Sequence, residues 1–175
     1  AIELLDGVVR PTKRDESWRY APHRQLDALT FGPSVAADLP AELDKQIPSL
    51  DGPRVVIVNG VVDRDRSDFA TPHGLHVSSL ADAAESQPGL TDRHVDGAEL
   101  VDAFTAYNLA YATDGAVIVV DAAVDIAIPI HVVDVTVPGS ATNTSSTGVV
   151  IQVGAGSSAT VVETRLGAGT ELGGS

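Results

Sequence analysis

Neither cysteine nor methionine occurs in the sequence. Without thiols the chain can build no disulfide framework, no thiolate nucleophile and no metal-cluster ligation through sulfur; a reducing compartment is the natural expectation. Positive charge is also scarce. Eleven Lys and Arg residues stand against 24 Asp and Glu, a formal charge of -13, which repels phosphate backbones and anionic lipid. Neither nucleic acid nor a membrane surface is expected as a partner. The opening "AIELLDGVVRPTKRDE" has no basic end followed by a long apolar run and a small-residue cleavage site, so no signal peptide and a cytoplasmic address are expected. Residues 135–162 carry no charge, but Ser, Thr, Asn, Gly and Pro interrupt them, which argues against a membrane span.

What is present is a folded chain, with 43% apolar residues over 175 positions, enough to bury a core. Residues 1–30 mix charges with "ESWRYAPHRQLDAL", which suits a short helix or a docked loop, with Trp18 expected as a buried anchor that fastens the segment. In "DLPAELDKQI" the pattern predicts a helix with Asp38 as N-cap, Pro40 in the first turn and Leu39, Leu43 and Ile47 on one face, stopped by Pro48. "RVVIVNGVVDRD" places Asn59-Gly60 between two β-branched runs and predicts a β-hairpin near 54–63. "SSLADAAESQPG" reads as a brief helix capped by Ser79 with Asp82 three residues on, closed by Pro88 and Gly89. Asp96 and Glu99 make a similar start for a helix with Leu100, Phe104, Tyr107 and Tyr111 on one face, ending at Asp114-Gly115. Asn108, among apolar neighbours on that helix, is expected to bond a nearby backbone group.

From Gly115 onward the period changes to short β runs, "GAVIVVD", "DIAIPIHVVDVTV", "GVVIQVG" and "ATVVETRLG", and no segment there is long enough for a crossover helix. The shift sets an expected boundary, with an N-terminal helical subdomain over residues 1–113 and a β domain over 114–175. A sandwich or barrel fits such strands, and so does a solenoid; fully apolar strands with small-residue corners favour the solenoid. The Gly-rich "GAGTELGGS" directly after a strand is expected to mark a fragment of something longer.

Chemistry-bearing residues are many, but none forms a recognisable set. His73 and His76 in "TPHGLH" have Gly74 between them and no third ligand nearby, and read as loop histidines. Asp63, Asp65 and Asp68 resemble a calcium loop, yet the central Gly and the terminal Glu are missing while Arg64 and Arg66 intervene. His131 stands alone on a strand, where a ring without a positioned partner does no acid-base work. "GAGSSAT" has the glycines of a phosphate cradle but joins strand to strand with no Lys after it, and reads as a corner. No catalytic, cofactor-binding or metal-binding residue is therefore assigned. An alternative remains, in which a solenoid presents Asp121, Asp125 and Asp134 to a polysaccharide as an enzyme, or serves as a carbohydrate or adhesion module. Aspartates at such positions more often hydrogen-bond the backbone of turns.

One string resembles a known family. "PTKRDESWRYAP", with Pro11, Thr12, Arg14, Asp15, Glu16, Trp18, Arg19 and Tyr20, is similar to the N-terminal signature of the SufB/SufD iron–sulfur cluster assembly proteins. "VIVNGVV", "HVSSLADA" and "FTAYNLAYATDGAVIVVDAAVDIAIPIHV" follow in the order of SufD-like chains, and "GVVIQVGAGSSATVVETRLG", with Glu163 after paired valines, resembles the next strands. The N-terminal string and the "VNG" hairpin place it nearer SufD than SufB. One departure is Thr147-Gly148-Val149-Val150, where family members usually carry an Arg.

The resemblance implies a mainly β fold: the first rungs of a right-handed parallel β-helix preceded by a small α/β, largely helical N-terminal subdomain. It implies a noncatalytic scaffold of the SUF complex, pairing with a SufB-like paralogue and the SufC-like ABC ATPase through regions beyond residue 175. An iron–sulfur cluster, with flavin in some cases, belongs to the complex and not to these residues. A solenoid cut between rungs exposes strand edges, so self-association through residues near 149–166 is expected.

Overall fold

The computed structural model describes residues 5–90, 102–137 and 144–167. A 3₁₀ turn (Glu16–Trp18) and two short helices, α1 (His23–Asp27) and α2 (Ala41–Asp44), lead into a hairpin of β1 (Arg54–Val58) and β2 (Val61–Val62). There follow β3 (Leu75–Ser79), α3 (Leu80–Ser86) and α4 (Ala103–Tyr111), then β4 (Gly115–Val120), β5 (Ile130–Thr136), β6 (Gly148–Val153) and β7 (Val161–Gly167). These helices are thus short.

The strands form two sheets, ordered β2-β1-β5-β7 and β3-β4-β6. From β4 to β7 the chain alternates between them, and each return lays a new strand parallel to the last, β6 on β4 and β7 on β5. Antiparallel β2 and β3 stand at the opposite edges. Residue 113 divides the composition but not the sheets, because β5 lies parallel to β1 and β4 antiparallel to β3.

Register explains why β4 and β5 are almost wholly apolar. Alternate residues point to opposite faces, and both faces of these strands are covered. Val55, Ile57, Ile130 and Val132 of one sheet share a core with Leu75, Val77, Ala116, Ile118 and Val120 of the other. The intervening residues Val56, Val58, Val133 and Val135 pack outward against Leu39 and Leu43, and Val117 and Val150 pack against Ala83 and Leu90. No helix after Gly115 is needed for this, since α2, α3 and the flanking Leu39 and Leu90 supply the outer cover.

The expected hairpin is present, with Asn59 at φ 49° and Gly60 at φ 78° and Ile57 paired to Val62. Asn59 is 3% exposed, and its side-chain amide both donates to the Val137 carbonyl (3.2 Å) and accepts from the Val137 N–H (2.9 Å). The side chain thereby imitates a ladder residue and prolongs the contact of β1 with β5. Ser79 Oγ accepts from Asp82 N–H at 3.0 Å and caps α3, as its spacing predicts.

Other helix ends differ from expectation. Asp38 does not cap α2, which begins after Pro40 with no side-chain cap and runs only four residues. The cap of α4 is Asp102, accepting from Phe104 and Thr105 N–H at 2.8 and 2.9 Å; Asp96, Glu99 and Leu100 lie outside the described residues. The buried stripe of α4 is Ala103, Ala106 and Ala110. Its aromatic side is half-buried, with Phe104 5.2 Å from Trp18 and Tyr107 stacked on Phe31 at 4.5 Å. Trp18 is therefore a half-covered anchor and not a core residue. Gly115 does not end the helix, whose C-cap is Ala112; it opens β4, where a Cβ would collide with the backbone of Gly148.

Candidate functional site

Asp114 is a structural hub. One carboxylate oxygen accepts from Val62 N–H (2.9 Å), and the other from Ala81 N–H (3.2 Å) and Gly115 N–H (2.9 Å). A single side chain thus ties β2, the first turn of α3 and β4 together. Nothing in the sequence sets this aspartate apart from the others, because its partners come from segments 33 and 52 residues away.

The acidic turn 63–68 is closed on itself. Asp63 Oδ1 accepts from the N–H groups of Asp65 and Arg66 (3.1 and 3.2 Å), and Oδ2 accepts from the Arg66 guanidinium at 2.9 Å. Asp68 Oδ1 accepts from Ala70 N–H. Arg66 also meets Asp44, and Arg64 meets Asp82 at 2.7 Å. These pairs hold both guanidinium groups above their ordinary values and Asp82 below its own, with the hydrogen bonds to partners as the main cause. His73 is exposed, and His76 Nε2 donates to Asp121 at 3.2 Å. Among the described residues no three His, Asp or Glu side chains converge as a metal set.

Asp121 and Asp125 sit on the corner between β4 and β5, directly beneath the "GAGSSAT" corner between β6 and β7. Ser158 Oγ donates to Asp125 Oδ1 at 2.7 Å, Ser157 Oγ donates to the Asp121 carbonyl at 2.5 Å, and Ala123 N–H donates to the Ala155 carbonyl at 3.0 Å. The two corners stack as the strands do. Gly154 is required by this closeness, since a Cβ would come 2.5 Å from Ala122 N. Asn108 bonds backbone as expected, its amide reaching the Thr147 carbonyl at 3.4 Å, but it is exposed.

His131 is 1% exposed on the outward face of β5. Its Nε2 shares a hydrogen bond with Thr164 Oγ1 at 2.8 Å, and its Nδ1 has no partner among the described residues. Burial, with Arg54 nearby on β1, pushes its pKa down, which keeps the ring neutral.

The inward columns change character toward β7. Val55 and Val132 continue into Glu163, and Ile57 continues through Asp134 into Arg165. Glu163 and Arg165 form an ion pair at 2.8 Å, and Thr147 Oγ1 lies 3.4 Å from Asp134 Oδ1. Burial raises the Asp134 pKa, against the opposing pull of Arg165. These groups line a pocket of about 230 Å³ between β5, β6 and β7. In the facing sheet, Ile118 and Val120 are 0% and 1% exposed, whereas Ile151 and Val153, their partners one strand on, are 50% and 47% exposed. Among the described residues this is a half-covered end of the interior with a charged side.

A family model described as the SufBD protein N-terminal region matches residues 1–132, from the N-terminal string to the start of β5. The chain belongs to the SufBD family. An iron–sulfur cluster assembly SufBD family protein of Synechocystis sp. is 28% identical over 144 residues, which is 78% of this chain and 31% of that relative. The SufBD chain thus spans about a third of the length of the curated relative it matches. Asp134, Glu163 and Arg165 lie beyond the matched region.

Proposed function

We propose that this SufBD chain is the N-terminal part of a noncatalytic, SufD-like scaffold subunit of the SUF iron–sulfur cluster assembly complex in the cytoplasm. The family match over residues 1–132 carries this reading. The alternating two-sheet winding, with corner stacked on corner, supports the further reading that β4 to β7 are the first rungs of a right-handed parallel β-helix. Ile151 and Val153 are the side chains that another rung would cover.

The cluster is cargo of the assembly. No cysteine occurs in these residues and no His or carboxylate set converges among the described ones, so the donors present do not fit cluster ligation; flavin, like the cluster, is a matter for the whole complex. The polysaccharide reading is not favoured, because Asp121 and Asp125 are engaged in the corner contacts and Asp134 faces inward. The expected partners are a SufB-like paralogue and a SufC-like ABC ATPase, contacted through sequence beyond residue 175. Co-purification tests this: a chain extended past Ser175 should retain both partners, and residues 1–175 alone should not retain the ATPase. Failure of the extended chain to retain either would overturn the proposal.

A further inference from the structure

Cations in this acidic chain are distributed unevenly. Arg10, Lys13, Arg14, Arg19 and Arg24 bring five of the eleven Lys and Arg residues into positions 10–24, and all but two of the 24 acidic residues lie elsewhere. Lys45, Arg64, Arg66 and Arg165 each contact a carboxylate. Arg10 is occupied with the carbonyls of Leu26, Asp27 and Leu29 and lies over the rings of Phe31 and Tyr107. Lys13, Arg14, Arg19 and Arg24, by contrast, are exposed and make no ion pair among the described residues. Tyr20 stands among them, 90% exposed, with the Arg19 guanidinium 5.7 Å from its ring centre.

The segment is held in shape rather than left loose. Asp15 Oδ2 accepts from the Thr12 N–H and hydroxyl at 2.6 and 3.0 Å, so this carboxylate serves the turn and not the arginines. His23, 9% exposed, donates from Nε2 to the Trp18 carbonyl at 2.7 Å, and the Trp18 ring rests on Phe104. Because the turn is braced, its backbone loses little further entropy on binding, and an exposed charge among like charges draws a partner of opposite sign.

We propose that residues 13–24 form a docking surface for a short acidic segment of a partner protein, its carboxylates meeting Lys13, Arg14, Arg19 and Arg24 and an apolar side chain covering Tyr20. A polynucleotide fits less well. Its phosphates, one per about 1.7 Å of duplex, run past so short a patch onto the strongly acidic remainder of the chain. An anionic membrane meets the same repulsion.

Fluorescence anisotropy tests the surface with the 175-residue chain and a short labelled peptide of Glu and Asp flanking one Phe. Binding should appear at low ionic strength and fade as salt rises. The double substitution Arg14→Glu/Arg19→Glu should weaken it at least about tenfold, a loss within reach of two exposed charge contacts reversed. Tyr20→Ala should weaken binding while preserving its salt dependence, and Lys45→Glu, at a cation already paired with Glu42, should leave it unchanged. The positions are exposed, so the variants should keep the wild-type circular dichroism and melting point. Absence of peptide binding at low salt, or equal binding by the Arg14→Glu/Arg19→Glu variant, would overturn the proposal. So would tighter binding of a single-stranded oligonucleotide or of phosphatidylserine vesicles at the same residues.

Discussion

Two parallel neighbours in one sheet, β4 and β6, differ sharply in how they are covered. In β4, Ile118 and Val120 are 0% and 1% exposed; in β6, directly in register, Ile151 and Val153 are 50% and 47% exposed. The side chains are alike, so the difference lies in what stands beside them. Ile118 has Val77 on one side and Ile151 on the other, whereas Ile151 has a paired strand on one side only among the described residues. On the facing sheet the same step turns Val132 into Glu163. Apolar burial in a stacked fold therefore depends on neighbours in the stack more than on local sequence.

Substitution in the two strands should separate them most clearly. Ile118→Ala removes a fully enclosed side chain and should cost about 2 to 5 kcal/mol, while Ile151→Ala should cost under about 1.5 kcal/mol because half the side chain already meets solvent. Denaturant unfolding measures both, and equal losses would break the comparison. Next in size are the glycines at the seams. Gly115→Ala should cost about 3 kcal/mol by crowding the Gly148 backbone and straining a φ of 151°, whereas Gly156→Ala meets nothing within 4 Å and should cost about 1 kcal/mol from its positive φ alone. Smaller still is Trp18→Ala, outside the sheets, at about 1 to 2 kcal/mol for a half-covered ring with one aromatic neighbour. A loss of more than about 3 kcal/mol would restore Trp18 to the core.

The smallest expected effect is a pH dependence from the outward face of β5. His131 has a folded pKa below its ordinary value of 6.5, so the unfolded chain takes up a proton first as pH falls. Its contribution is full above about pH 6.5 and is lost as pH drops from there toward the depressed folded value. Asp134, on the inward face, has the opposite sign. Its raised pKa makes the folded form bind a proton first, so stability from this group grows as pH falls through that raised value. The variants His131→Gln and Asp134→Asn should each remove one slope from the stability profile; an unchanged profile in both would contradict the assigned environments.

How much of this was legible in the residues follows the range of the interactions. The Asn59-Gly60 hairpin and the Ser79 cap are local, and three or four residues suffice to write them. The "GAGSSAT" corner was legible because it lacks what a phosphate loop needs. The role of Asn59 at Val137, 78 residues away, was hidden, as was the Asp114 hub, because each depends on pairing between distant strands. The α4 helix misled for a related reason: Phe104 and Tyr107 look like a core stripe, yet Trp18 and Phe31 take that side and the tight contact falls to alanines. The charged pocket of Asp134, Glu163 and Arg165 exists only through the register of β5 with β7, which no spacing along the chain reveals.

On the β-helix reading proposed above, a further rung of the same winding would cover β6 and β7. Amide hydrogen exchange over residues 148–153 and 161–167 tests it directly, comparing the 175-residue chain with one extended past Ser175. Slow exchange is expected throughout β4 and β5 in both, with β6 and β7 fast in the shorter chain and protected to the level of β4 and β5 in the longer one. Protection of β6 and β7 that stays unchanged on extension would contradict it.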